Sequence, residues 1–111
     1  MSIKSSQVLL DEALKEIKTI SPSEALKLSQ ENKCNLIDIR DGLELQNEGA
    51  IENSYHIPRG LLEFMIHPES PYVRNENLDL DKEIVLFCAA GGRSALAAKT
   101  LKDMVLKKYL M

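Results

Sequence analysis

The chain has 111 residues, of which 44% are hydrophobic and 28% are charged. This length and these proportions of hydrophobic and charged residues fit one globular domain with a buried core, and they exclude a disordered chain. The net charge of −3 comes without a cluster of lysines and arginines, which argues against a nucleic-acid partner. The longest apolar run, Ile84–Ala90, is too short to span a membrane.

The two cysteines, Cys34 and Cys88, show neither a CxxC pairing nor a group of Cys and His at metal-ligand spacing. The sequence therefore predicts free thiols and no metal site. Free thiols are typical of reducing compartments. Charged residues interrupt the N-terminal stretch before a signal peptide could form, so we expect a cytoplasmic protein without membrane attachment.

The pattern of apolar residues predicts helices that alternate with strands. The start of the second helix combines an N-cap serine, a proline at the first helical position and a glutamate three residues after the cap. Such alternation indicates an α/β fold with a parallel sheet. In chain order we expect a helix over residues 6–17, a helix beginning at Ser21-Pro22, a strand over Leu36–Arg40, a short helix over Leu43–Glu48, a strand over Ser54–Ile57, one or two helical turns over Leu61–Ile66, a long loop over His67–Asp81, a strand over Glu83–Phe87 and a helix over Ser94–Lys108.

The segment between the last predicted strand and helix carries the chemistry of the chain. It places a thiol, Cys88, at the carboxyl end of a parallel strand, where α/β sheets bind their ligands, and beside the N–H groups of the next helix. Small residues let the backbone curl around this sulfur and direct several N–H groups to it. The segment is Cys88-Ala89-Ala90-Gly91-Gly92-Arg93-Ser94.

These neighbours predict that Cys88 is a nucleophile. A free cysteine has a pKa of about 8.5, which nearby N–H groups and the Arg93 cation lower, so that thiolate is present at neutral pH. Cations are disfavoured in the first turn of a helix, so Arg93 calls for an anionic partner. Cys34 has no basic or glycine-rich neighbour, and we expect it to be structural.

The segment Cys88–Arg93 resembles the active-site loop of the rhodanese homology family, which is a cysteine, four residues and an arginine at a strand-to-helix turn. Related phosphatases have five intervening residues, so this spacing favours sulfur over phosphoryl chemistry. Three further segments are similar to family segments in the same order. They are Ile20–Ala25, Leu36–Asp41 with Glu44, and Gly49–Gly60, the last with Ala50 in place of the usual histidine.

The resemblance covers about Ile20 to Met104 and implies a rhodanese-like three-layer sandwich, in which helices flank a central, mostly parallel sheet. We expect residues 1–19 to form an N-terminal amphipathic helix and a first strand, and residues 20–111 to form the rhodanese-like domain. Family members usually continue with a last strand, a glycine pair and a closing helix, and this chain stops before them. We therefore expect bare apolar surface that a homo-oligomer would cover.

The resemblance implies a sulfurtransferase without a cofactor. The Cys88 thiolate would take the outer sulfur of a small anionic donor, thiosulfate or a persulfide, and a thiol or cyanide acceptor would remove it from the Cys88 persulfide. The residues expected to bind the anionic sulfur are Ala89, Ala90, Gly91, Gly92, Arg93 and Ser94.

Three supporting residues are predicted, namely Asp38, Arg40 and Arg59. Asp38 and Arg40 suit a hydrogen-bonded structural pair near the loop, whereas Arg59 is either an attractor of the anionic substrate or an ordinary loop arginine. Two alternatives to a sulfurtransferase stay open. One is an arsenate reductase or phosphatase that uses the same thiolate, and the other is a non-catalytic rhodanese-like binding or regulatory module.

Overall fold

The computed structural model of the chain describes residues 2–67 and 78–109, with side chains through Met104. N-cap serines begin the first two helices: the Ser5 hydroxyl accepts from the Val8 N–H, and the Ser21 hydroxyl accepts from the Glu24 N–H. The elements are α1 (Ser6–Leu14), α2 (Pro22–Gln30), β1 (Cys34–Asp38), α3 (Gly42–Glu48), β2 (Tyr55–His56), a 3₁₀ turn (Arg59–Leu61), α4 (Leu62–Met65), β3 (Glu83–Phe87) and α5 (Gly92–Tyr109).

The described strands form a parallel sheet in the order β2-β1-β3. All five residues of β1 are buried, as expected for the central strand, whereas β3 is half-buried after an exposed first residue. The register aligns Asp38 at the end of β1 with Phe87 at the end of β3. The strand ends at Asp38 and not at Arg40, because the Asp38 carboxylate accepts a hydrogen bond from the Arg40 backbone N–H.

Helices pack against this sheet and enclose the core. α2 contacts β1, α5 contacts β3, and α1 packs against α5. The expectation of an α/β fold with a central, mostly parallel sheet flanked by helices is confirmed, and the sheet of the described residues is small. Within the described ranges, no helix combines the length and the apolar character needed to cross a membrane. The buried core consists of Ile37, Ile39, Ile57, Leu62, Ile66, Ala97 and Leu101.

The first strand expected within residues 1–19 is wrong for the described part, since residues 2–33 form two helices and no strand. The backbone after α1 turns back on the helix instead of extending: the N–H groups of Lys15 and Glu16 both donate to the Ala13 carbonyl. The Lys102 ammonium then donates to the Glu16 carbonyl, which ties this turn to α5. The predicted loop over His67–Asp81 falls outside the described residues between 68 and 77.

A buried amide fixes the chain as it enters β3. The side chain of Asn35, 2% exposed, donates to the Asp79 carbonyl at 2.6 Å and accepts from the Asp79 N–H at 3.1 Å. This side chain lies in the middle of an apolar strand, so it satisfies its polar groups on a backbone segment that is distant in sequence. The segment before β3 is thereby held beside β1.

Candidate active site

The site lies at the edge of the sheet where β1 and β3 both end. Cys88 directly follows β3 and is half-buried, and α5 begins at Gly92. The N–H groups in the first turn of a helix lack partners within the helix and carry partial positive charge. The thiol is therefore placed at the amino end of the long helix α5, as the sequence predicts.

The loop directs hydrogen-bond donors at the sulfur. The Gly91 N–H donates to the Cys88 Sγ at 3.1 Å, and the Ser94 Oγ lies 3.5 Å from the same sulfur. Gly91 has φ +91°, a conformation that is strained for residues with a Cβ, and this geometry turns its N–H toward the sulfur. Ala89, Ala90 and Gly91 are exposed, so this part of the loop lies at the protein surface.

These contacts lower the pKa of the Cys88 thiol. Burial of the half-buried thiol raises its pKa, but the hydrogen bond with the Ser94 side chain and those from the backbone N–H groups of Ser94, Gly91 and Ala90 outweigh burial. The net result is a pKa below the ordinary value for cysteine. The thiolate fraction at neutral pH is correspondingly higher than in an unstructured peptide.

We expect Ser94→Ala to shift the alkylation of Cys88 to higher pH. Only the thiolate reacts, so the wild-type rate rises with pH and reaches half of its plateau below the pKa of a free cysteine. Losing the hydrogen bond between Cys88 and the Ser94 hydroxyl moves this midpoint upward. The measurement is the iodoacetamide rate against pH, followed on the tryptic peptide Glu83–Arg93, which separates Cys88 from Cys34. Thr100→Ala, which removes another hydroxyl from α5, should leave the midpoint unchanged, and an unshifted Ser94→Ala midpoint would contradict this assignment.

Arg93 binds a protein carboxylate. Its two terminal nitrogens donate to the two oxygens of Glu44 at 2.6 and 3.0 Å, which joins the start of α5 to α3. The Arg93 hydrogen bonds and, to a smaller extent, the Asp41 backbone N–H hold the pKa of Glu44 at about 2 against the effect of burial. The anionic partner that the sequence calls for is therefore Glu44, and Arg93 acts on the loop by positioning it.

Asp38 and Arg40 form the buried pair that the sequence suggests. The Asp38 carboxylate is fully buried and accepts from the Arg40 Nε and Nη2, at distances of 2.8 to 3.2 Å. The remaining donors of Arg40 go to the Glu48 carboxylate at 3.3 Å and to the Gly49 carbonyl at 2.9 Å. This network fixes the end of α3 beside the end of β1, which makes it structural support for the site.

Cys88 opens onto a cleft with a volume of ≈ 330 Å³, which we name the active-site cleft. Arg59 is not among its lining residues: this side chain pairs with Glu63 at 2.7 Å and donates to the Thr100 hydroxyl at 3.3 Å. Among the described residues, these contacts of Arg59 do not support the prediction that it contributes to the site. Besides Cys88, the cleft is lined by Arg40, Glu48, Gly49, Ala50, Ile51 and Phe87.

Cys34 is in a different environment, at the amino end of β1. It is buried, and burial together with the charge of Glu83 raises the pKa of its thiol. These properties are those of an inert structural cysteine. In the described residues, no three His, Cys, Asp or Glu side chains are grouped closely enough to hold a metal ion.

The sequence interpretation did not assign Glu44 as the partner of Arg93, and it did not place Glu48, Ile51 or Phe87 at the site. A signal for Glu44 was present, since an arginine in the first turn of a helix needs a carboxylate. Nothing in the local pattern singled out Glu48, the last residue of α3, or Ile51, which lies between α3 and β2.

Comparison of the sequence with known proteins identifies relatives. The family model described as "Rhodanese-like domain" matches residues 21–110. The Bacillus subtilis (strain 168) protein named "Putative sulfurtransferase YtwF" is 35% identical over 94 residues, which cover 85% of this chain and 80% of that protein. "Putative sulfur carrier protein YrkF" of the same organism is 30% identical over 84 residues. That match covers 76% of this chain but spans 40% of the relative's length.

Two solved structures share the fold. A Rhodopseudomonas palustris protein of unknown function, described as a "Possible Tyrosine Phosphatase", is 41% identical with a TM-score of 0.82, covering 96% of this chain and 83% of that one. A "rhodanese-related protein" from Thermoplasma volcanium is 30% identical with a TM-score of 0.53, covering 72% of this chain and 71% of that one. The family model extends over nearly the whole chain, and the strand-to-helix cysteine loop lies within it. This chain therefore belongs to the rhodanese-like domain family.

Proposed function

We propose that this chain is a sulfurtransferase that carries sulfane sulfur as a persulfide on Cys88. The observation that carries the proposal is the Cys88 sulfur at the start of α5, which accepts the Gly91 N–H at 3.1 Å and has a lowered pKa. Membership of the rhodanese-like family and the 35% identical relative named as a sulfurtransferase support an enzyme of this class.

The proposed reaction has two half-reactions. The Cys88 thiolate attacks the outer sulfur of thiosulfate or of a persulfide donor, the S–S bond of the donor breaks, and sulfite or a thiolate leaves with the electron pair. The anionic outer sulfur of the Cys88 persulfide is then stabilised by the N–H groups of the loop. A thiol or cyanide attacks that sulfur, and Cys88 returns to the thiolate. Each half-reaction passes the same sulfane sulfur from one nucleophile to the next, and each leaving group takes its electron pair, so no external oxidant or reductant is needed.

The compartment that suits this chemistry is a reducing one. Both cysteines are free, and a thiolate nucleophile loses activity when it is oxidised. We therefore include a cytoplasmic location in the proposal.

A phosphatase is the second candidate, because the 41% identical neighbour is described as a possible tyrosine phosphatase. A phosphate bound above Cys88 needs cationic donors for its oxygens. Here the two terminal nitrogens of Arg93 both donate to Glu44, so the fork of this guanidinium is occupied by a protein carboxylate. The loop also has four residues between Cys88 and Arg93, one fewer than the related phosphatases. Both observations favour sulfur transfer.

The proposal is tested by loading the protein with sulfur. After long incubation with thiosulfate, and separately with a persulfide donor, intact mass should increase by one sulfur atom. Digestion with trypsin should locate that atom on the peptide Glu83–Arg93, while the peptide Cys34–Arg40 serves as the internal control and stays unmodified. A folded sample that takes up no sulfur would overturn the proposal, in favour of a phosphatase if it hydrolyses a phosphotyrosine peptide and of a binding module if it does not.

A further inference from the structure

The loop Cys88–Ser94 contains one cation, Arg93, and a residue of another helix binds it. Glu44 lies in the first turn of α3, and its two oxygens accept from the two terminal nitrogens of Arg93 at 2.6 and 3.0 Å. The same carboxylate accepts from the Asp41 backbone N–H at 3.2 Å, in the capping box of α3. The guanidinium is thus bound to a point outside the loop that carries the thiol.

This ion pair uses the donors that an oxyanion would need. Two parallel N–H groups facing two oxygens are the geometry by which arginine binds phosphate, and here a protein carboxylate supplies the oxygens. Hydrogen bonds from Arg93 and, against the effect of burial, from the Asp41 N–H hold the pKa of Glu44 at about 2. Glu44 therefore stays ionised at neutral pH and remains a partner for Arg93.

The guanidinium is within electrostatic reach of the reacting sulfur. The hydrogen bonds to Glu44 raise the pKa of Arg93 most, and the charge of Cys88 contributes to the same effect. A released Arg93 could therefore act on an anion bound at Cys88. In the structure, its charge is instead neutralised by Glu44.

The remaining donors of the loop do not depend on Glu44. The Gly91 N–H, the other loop N–H groups and the amino end of α5 favour a negative charge at Cys88, whether a sulfur or an oxygen atom carries it. They are sufficient for one anionic sulfur. Phosphate presents several charged oxygens and binds strongly only where a cation adds to the amides. The discrimination between the two thus depends on whether Arg93 is available.

We infer that Glu44 is a specificity-determining residue, which withholds the Arg93 guanidinium from phosphate and phosphate esters so that the loop admits an anionic sulfur and binds these oxyanions weakly. This inference deepens the proposed function, on which its catalytic meaning rests. The binding that it describes can be measured without sulfur transfer, because phosphate at the loop covers the Cys88 sulfur.

The test measures how far inorganic phosphate protects Cys88 from iodoacetamide, at an ionic strength held constant with sodium chloride. Alkylation is followed on the tryptic peptide Glu83–Arg93. In Glu44→Gln, the phosphate concentration that halves the rate should fall by about tenfold from the wild-type value, because the freed guanidinium adds charge-assisted hydrogen bonds. In the double variant Glu44→Gln/Arg93→Gln this gain should vanish, a result that a merely loosened loop would not give.

Glu63→Gln is the matched control. It removes the carboxylate that Arg59 binds at 2.7 Å, and neither Arg59 nor Glu63 lines the active-site cleft. Its half-protecting phosphate concentration should equal that of the wild type. Glu44→Gln keeps the length of the side chain and an oxygen that can accept the Asp41 N–H, so α3 should keep its first turn.

A second measurement links the inference to catalysis. When Cys88 is loaded from a persulfide donor, phosphate should inhibit Glu44→Gln in competition with the donor, at concentrations that leave the wild type unaffected. This measurement requires sulfur transfer, whereas protection from iodoacetamide does not.

The outcomes separate the inference from the proposed function. Equal protection of wild type and Glu44→Gln, or a gain that persists without Arg93, would show that the inference is wrong even if both proteins load sulfur. A gain that requires Arg93, in proteins that take up no sulfur, would uphold the role of Glu44 and overturn the proposed function. If Glu44→Gln does not fold, wild type and Arg93→Gln decide: protection of the wild type that Arg93→Gln weakens would contradict the inference, and equally weak protection would support it.

Discussion

Replacing Cys88 with serine is expected to reduce sulfur transfer to the uncatalysed background, a loss of at least about a thousandfold in kcat/KM. A serine hydroxyl is not ionised near neutral pH and cannot hold a second sulfur as a persulfide. The loop should keep its shape, because the hydroxyl can accept the Gly91 N–H that now binds the Cys88 sulfur. The measurement is the formation of thiocyanate from cyanide with each donor.

The matched control is Cys34→Ala, which removes the other thiol of the chain. Cys34 is buried at the opposite end of the sheet, so its loss should affect stability but leave kcat/KM near the wild-type value. A folded Cys88→Ser protein with wild-type turnover would show that another group carries the sulfur.

Asp38→Ala is expected to lower the free energy of unfolding by about 3–5 kcal/mol. The Asp38 carboxylate is fully buried and receives the Arg40 guanidinium and the Arg40 backbone N–H. Without it, a largely buried cation and an N–H group at the end of β1 lose their main partner. The core beneath is also affected, because the neighbouring Ile37 and Ile39 belong to it.

Urea denaturation monitored by circular dichroism measures this loss. The midpoint should fall while the dependence of the unfolding free energy on urea stays constant, since the same surface is exposed on unfolding. Glu12→Ala, which breaks an exposed ion pair with Lys4, should leave the midpoint unchanged within error. An Asp38→Ala midpoint equal to that of Glu12→Ala would mean that the pair with Arg40 adds nothing to stability.

Local patterns were sufficient to predict most elements of the fold. The bounds of β3 agree with the prediction, because the apolar run after Glu83 is too short for a typical helix and contains β-branched and aromatic residues, which favour a strand. Ser5 and Ser21 cap the first two helices by accepting hydrogen bonds from backbone N–H groups three positions later. Such short-range caps can be predicted from the sequence. The position of the thiol could also be predicted from local sequence, because a cysteine and a glycine pair stand between a predicted strand and a predicted helix.

Contacts between distant segments could not be predicted in this way. Glu44 and Arg93 are 49 positions apart, and Asn35 is 44 positions from the Asp79 backbone that it binds. The sequence indicated that Arg93 needs an anion, but several carboxylates compete for this role and the fold selects one. The prediction of a first strand within residues 1–19 was wrong for a related reason. A strand requires a neighbour to receive its backbone hydrogen bonds, and local sequence does not show whether one is present.

The parallel register keeps the two sulfur atoms of the chain apart. Cys34 at the start of β1 aligns with Glu83, and Cys88 lies five residues further along, a distance of roughly 16 Å at about 3.3 Å per residue. Disulfides require Cα atoms within about 7 Å, so Cys34 cannot attack sulfur stored on Cys88 without unfolding the sheet. In the proposed reaction, the 111 residues of this chain therefore hold no second thiol that reaches a Cys88 persulfide, and that persulfide would last until an external acceptor removes its sulfur.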